Sequence, residues 1–130
     1  MAGNIKLSKE EQKAIQEKIA SIEAKAHTRI VIHAIKNHTG DLYQAAVREF
    51  PEHGLHHDKI KTGILLLISV KSRQFQILGD QHIHEKMGEA AWQSLAQNLS
   101  RFFKEEKFYD GLLHFLTDIE GPLTEHFAKK

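Results

Sequence analysis

The stretch Gly63-Ile64-Leu65-Leu66-Leu67-Ile68-Ser69-Val70, followed by Lys71-Ser72-Arg73 and then Gln74-Phe75-Gln76-Ile77-Leu78-Gly79, decides the fold. Its first part is the most continuously apolar run in the chain and reads as a central strand covered on both faces. Lys71-Ser72-Arg73 has room only for a hairpin turn, so Gln74 to Gly79 is predicted to be its antiparallel neighbour. Upstream, Arg29-Ile30-Val31-Ile32-His33-Ala34-Ile35 is rich in β-branched residues with both alternating sets largely apolar, which predicts another strand with two covered faces. Between these strands, Asp41 and Gln44 open an apolar face of Leu42, Ala45, Ala46 and Phe50, a helix that Pro51 is expected to stop. A strand, a helix and a strand in succession make a parallel crossover unit. The sheet is therefore mixed.

Helices flank this centre. Ser8 with Glu11 forms a capping box ahead of Ile15, Ile19, Ile22 and Ala26, giving an amphipathic helix over residues 8 to 26. Beyond Asp80, the residues Trp92, Leu95, Leu99 and Phe102 line one helical face, and a break follows near Lys104 to Tyr109. Asp110 is expected to cap a last helix whose Leu112, Leu116, Ile119, Leu123 and Phe127 keep one phase across Gly121-Pro122, so the proline kinks or splits it. The predicted fold is α/β, a three-layer helix-sheet-helix sandwich with a small mixed β-sheet. Residues 1–7 read as an N-terminal tail and 8–130 as a single domain.

Composition narrows the function. The chain has 130 residues, 41% of them hydrophobic, enough for one domain with a real core. Eighteen Lys and Arg against seventeen Asp and Glu leave a net charge of +1 without like-charged blocks, which disfavours a nucleic-acid or anionic-membrane partner. Zero cysteines remove disulfides, thiolate zinc sites and cysteine nucleophiles. The polar start and the lack of a run of about 18 apolar residues predict a cytoplasmic protein with no membrane span. No nucleophile-elbow or phosphate-cradling motif occurs, and no catalytic or organic-cofactor residue is assigned. Ten histidines are the oddity, since His titrates near neutral pH and ligates metals.

The predicted topology brings three loops to one rim. His27 and Thr28 precede the first strand; His53, His56, His57, Asp58 and Thr62 precede the second; Gly79, Asp80, His82 and His84 follow the third. Imidazole with carboxylate suits zinc, nickel or iron, whereas calcium requires more oxygen ligands than Asp58 and Asp80 supply. Taken singly, His53, His56 and His57 read more simply as solvated loop residues, and Asp80 as a turn-capping aspartate. His82 and His84, at spacing two, would share one side of an extended segment. His33 and His114 read as hydrogen-bonded core or boundary residues, and Trp92, Phe102, Phe103 and Phe108 as core.

Several of these residues carry a family resemblance. Ala26-His27-Thr28 before Ile30-Val31-Ile32-His33, then Gly54-Leu55-His56, Gly63 to Ile68, Arg73, Ile77-Leu78-Gly79-Asp80, and Phe103-Lys104 leading to Tyr109-Asp110-Gly111-Leu112 follow the order of a TPM domain, also called the TPM phosphatase domain. From about Ile22 to Phe127 the chain resembles that family. The resemblance implies the same helix-sheet-helix sandwich and a cation site at one rim. It also implies a varied function: calcium binding or acid phosphatase activity in some relatives, an accessory role at membrane complexes in others. Family members often carry Ser-Gly-Glu at the first strand, Asn-Gly at the second and Gly-Asp after the third. Here Gly79-Asp80 is retained, Arg29 stands where the glutamate aligns, and Thr62 precedes Gly63 in place of asparagine. Exchanging carboxylate for guanidinium shifts the local charge by about two units against a hard cation. Three readings follow: a decayed site, a site rebuilt by histidines for a softer metal, or Arg29 holding a phosphate or carboxylate.

The sequence thus predicts a TPM-like domain that binds an ion, a small ligand or a protein partner at one rim. The candidate metal donors are Asp80, Asp58, His57, His82 and His84, for a zinc-like ion or calcium. Thr28, Arg29, Thr62, Gly63 and Gly79 complete the ligand rim. The alternative is a divalent-metal-dependent acid phosphatase; a third class, a pH-responsive interaction protein, follows from the ten histidines.

Overall fold

The structure is a computed structural model that describes residues 7–52 and 63–129. Its elements run α1 (Lys9–Lys25), β1 (Arg29–Ile35), α2 (Leu42–Glu52), β2 (Gly63–Ser69), β3 (Gln74–Gly79), α3 (Gln81–Met87), α4 (Glu89–Lys104) and α5 (Phe108–Phe127). The strand order is β1-β2-β3. β1 lies parallel to β2, with Arg29 opposite Gly63 and Ile35 opposite Ser69. β3 lies antiparallel to β2, with Gly79 opposite Ile64 and Gln74 opposite Ser69. Every residue of β2 is buried, as its apolar run requires of a middle strand with helices on both faces.

Strand alternation sends side chains to two cores. Ile30, Ile32 and Ala34 of β1, Ile64, Leu66 and Ile68 of β2, and Ile77 of β3 pack with Ile15, Ile19 and Ile22 of α1, Leu95 and Leu99 of α4, and Leu112, Leu116 and Ile119 of α5. On the other face, Leu65 and Leu67 meet Leu42, Ala45 and Ala46 of α2, with Val31, Ile35 and Leu78 at the margin. Three layers result: α2, the sheet, and the remaining helices.

Local chemistry sets the element ends. Ser8 and Glu11 close the reciprocal capping box at 3.0 and 2.9 Å. The Tyr43 N–H donates to Asp41 Oδ1 at 2.9 Å, opening α2. Pro51, expected to stop α2, lies within it, and the helix runs on to Glu52; the proline forfeits one N–H to the carbonyl four residues back near the helix end. The β2–β3 turn closes with the Arg73 N–H on the Val70 carbonyl at 3.2 Å, Arg73 at φ 57°.

Two helices replace the single one expected after Asp80. Gly88, at φ 83°, ends α3 and begins α4, a backbone geometry that glycine adopts without a Cβ penalty. α4 ends with the Lys107 N–H on the Phe102 carbonyl and the Glu106 N–H on the Phe103 carbonyl, a Schellman motif with Glu106 at φ 59° where glycine is usual. α5 starts two residues before Asp110 and continues through Pro122. The Thr124 hydroxyl donates to the Glu120 and Gly121 carbonyls at 2.9 and 3.0 Å beside the proline. No helix among the described residues is long and apolar enough to cross a membrane.

Candidate functional site

The mixed sheet brings the beginnings of β1 and β2 and the end of β3 to one margin. Arg29 faces Gly63 across the parallel pair, and Gly79 faces Ile64 across the antiparallel one. Asp80 extends the β2–β3 ladder by one step, its N–H donating to the Gly63 carbonyl at 3.1 Å. The carboxylate then takes over where backbone pairing stops. Oδ2 accepts the Gly63 N–H and Oδ1 accepts the Ile83 N–H, each at 3.0 Å. Asp80 is thus at once a strand partner and the N-cap of α3. An ionised carboxylate offers about four lone-pair sites, so these two bonds leave acceptor capacity on a half-buried group.

Gly79 permits the tight corner. A Cβ there would fall 2.6 Å from Ile83 Cγ2 and 2.6 Å from Trp92 Cη2, so its hydrogen is what lets α3 and α4 close on the sheet.

Thr28 occupies the same margin on β1. α1 is capped by Ala26, which bridges to Ala128, while the His27 N–H donates to the Phe127 carbonyl at 2.7 Å. These bonds pin the short link into β1, and the Thr28 N–H turns back to the Ala26 carbonyl at 2.9 Å. Thr28 is 9% exposed, and its Oγ1 is buried with no hydrogen-bond partner among the described residues. Arg29 beside it is exposed.

The His82 and His84 pair does not take the extended form expected of it. Both lie on α3, where two residues turn the helix by roughly 200° and send them to different sides. His82 is exposed, whereas the His84 ring lies on Trp92 at 4.4 Å between centroids. His57, Asp58 and Thr62 lie outside the described residues, as do His53 and His56. Among the described residues no group of three His, Asp or Glu side chains is arranged to hold a metal. Asp80 and Thr28 alone fall short of a zinc or calcium donor set.

His33 holds the boundary position expected of it, its Nδ1 2.7 Å from Glu49 Oε1 between β1 and α2. His114, expected in the core or at its boundary, is instead exposed on α5, its Nδ1 3.0 Å from Asp118 Oδ2. Sequence reading overlooked other polar ties. Glu23 Oε2 accepts the Ile30 N–H at 2.9 Å, joining α1 to β1. Glu120 of α5 receives Lys18 and Lys25 of α1 at 2.7 and 3.1 Å, and the Lys18 contact foremost holds its carboxyl below the ordinary glutamate range. The i, i+7 spacing of the two lysines was the available signal, since it places them on one helix face.

This architecture is that of a known family. The model of the TPM domain matches residues 6–121, and the chain belongs to that family. Among solved structures, it is similar to the BA42 protein from the psychrophilic bacterium Bizionia argentinensis, at 26% identity and a TM-score of 0.87 over 95% of this chain and 86% of that one. It shares its fold with the N-terminal domain of the cg2496 protein from Corynebacterium glutamicum, at 13% identity and a TM-score of 0.72 over 96% of this chain and 79% of that one. It shares it also with the N-terminal domain of a protein from P. gingivalis, at 14% identity and a TM-score of 0.75 over 95% of this chain and 82% of that one. No curated relative matches the sequence.

Proposed function

We propose that this TPM domain is a binding module whose margin of Thr28, Arg29, Gly63, Gly79 and Asp80 takes a small ligand or ion, with His57, Asp58 and Thr62 as further donors. The observation that carries this reading is the Thr28 hydroxyl, buried without a partner among the described residues. Leaving such a group unpaired costs about 1–3 kcal/mol. A ligand or its bound water would supply the missing hydrogen bond. Asp80 adds acceptor capacity at the same margin, and exposed Arg29 adds a guanidinium suited to a carboxylate or phosphate. Titration with calcium, zinc and inorganic phosphate, followed by amide NMR, tests it. One of these is expected to shift Thr28, Gly63 and Asp80 selectively, and Thr28→Val to abolish the shift. Absent or uniform shifts with all three would overturn the reading.

A metal-dependent phosphatase is the second reading, supported by the unused acceptor capacity of Asp80. It requires hydrolysis of p-nitrophenyl phosphate between about pH 5 and pH 8, stimulated by one metal and lost with chelator and in Asp80→Asn. Without metal-stimulated turnover the domain is a binder only.

A further inference from the structure

At the hairpin end of the sheet, opposite the Asp80 margin, β3, α4 and the start of α5 enclose a cleft of about 480 Å³. β2 spans the distance between the two ends, roughly 20 Å at the rise of a strand. The cleft floor is a row of three phenylalanine rings. Phe75 meets Phe103 edge-to-face at 5.5 Å, and Phe103 meets Phe108 likewise at 5.2 Å. All three rings are only half-buried. Exposed Arg73 and Lys104 line the same cleft, against the single carboxylate of Glu106. Its volume falls in the range of about 300–1,000 Å³ usual for small-molecule sites.

The backbone adds a second observation. Arg73 and Glu106, at φ 57° and 59°, are the two non-glycine residues with left-handed backbone among the described ones, and both line this cleft. Each conformation carries a Cβ penalty that glycine would avoid. Strain of this kind concentrates at ligand clamps and switch regions. At Arg73 a cationic side chain therefore stands at the cleft where the turn alone would favour glycine.

We propose that this cleft binds a small amphipathic anion, a carboxylate carrying an aliphatic or aryl body, with the body on the Phe75-Phe103-Phe108 row and the carboxylate between Arg73 and Lys104. Two cations against one anion set the charge of the ligand, and the aromatic floor sets its apolar part. The site is separate from the Asp80 margin and does not depend on what binds there.

Amide NMR titration of the full chain with decanoate, decanol and acetate tests the proposal. Decanoate is expected to shift residues 73–75 and 103–108 and to leave Thr28 and Asp80 unmoved. Decanol and acetate, each lacking one half of the recognition, are expected to bind at least about tenfold more weakly. Arg73→Gln and Lys104→Gln are each expected to weaken decanoate binding several-fold, and Glu106→Gln to strengthen it. Both cationic positions are exposed, so the fold tolerates the exchanges; a wild-type amide spectrum confirms that. Absent shifts, equal binding of decanol, or indifference to both cationic substitutions would overturn it. So would flotation with phosphatidylglycerol vesicles in the absence of decanoate shifts, which would assign the cations to a membrane surface.

Discussion

Asp80 and Gly63 hold each other through two opposed hydrogen bonds, main chain to carbonyl at 3.1 Å and amide to carboxylate at 3.0 Å. The second is a backbone ladder bond whose acceptor has been handed to a side chain. It lets the chain leave β3 and enter α3 without abandoning the buried Gly63 N–H. Asp80→Ala removes a helix cap, about 1 kcal/mol, and leaves that N–H unmet. The expected loss is about 2–3 kcal/mol in urea unfolding. Asp80→Asn, which caps as well but offers one oxygen, is expected to lose about 1 kcal/mol. A ligand assay on the alanine variant alone would therefore confuse unfolding with loss of a site.

Gly79→Ala places a methyl group 2.6 Å from both Ile83 and Trp92. Both contacts are with side-chain atoms packed at the corner that must shift to make room, so destabilisation of about 1–3 kcal/mol is expected. Trp92 is the only tryptophan in the chain. Its emission should report the displacement in the folded state, and an unchanged spectrum together with an unchanged unfolding midpoint would refute this packing account.

Glu120 ties α5 to α1 through Lys18 and Lys25, and its folded-state pKa lies below the ordinary value of 4.5. A carboxyl with a depressed folded pKa binds fewer protons folded than unfolded, so its contribution is complete above the ordinary value and is lost as pH falls through the folded one. Glu120→Gln is expected to cost about 0.5–1 kcal/mol at neutral pH, less at high salt, and nothing once both states are protonated. Unfolding curves of the two proteins should converge once the pH falls below the folded-state pKa of Glu120; a gap that persists there would mean that packing, not charge, makes the difference.

Strands and cores were legible because hydrophobic alternation reports directly on burial. The Gly63 to Ser69 run, the Arg29 to Ile35 strand and the Leu42-Ala45-Ala46 face all stand where their periodicity put them. The His82-x-His84 pair misled because spacing two describes a strand only if a strand is there. The bracket of Asp80 as N-cap and Gly88 as C-cap signalled α3, but seven residues carry too little apolar periodicity to register. Convergence of Thr28, Gly63 and Asp80 followed from strand order, which sequence supplied. The missing partner of Thr28 Oγ1 did not, because hydrogen-bond satisfaction depends on coordinates.

Glu106 illustrates a conflict between turn and surface. The Schellman motif at the end of α4 needs its left-handed residue for two backbone bonds, and no side-chain bond of Glu106 offsets the Cβ penalty among the described residues. Glu106→Gly is expected to stabilise the domain by about 1 kcal/mol, read as a higher urea midpoint at unchanged slope. A destabilised variant would show that the glutamate side chain contributes more than its backbone costs.

Thr28→Val separates stability from binding. The exchange is nearly isosteric and, at the start of a strand, suits a β-branched side chain. It deletes a hydroxyl that is buried without a partner among the described residues, so the folded state should gain about 1 kcal/mol. Such a gain, accompanied by loss of ligand-induced shifts at Gly63 and Asp80, is the pattern expected of a residue kept for binding at the expense of the fold. Loss of stability instead would mean that the hydroxyl already has a partner outside the described residues, and would remove the main support for a site at this margin.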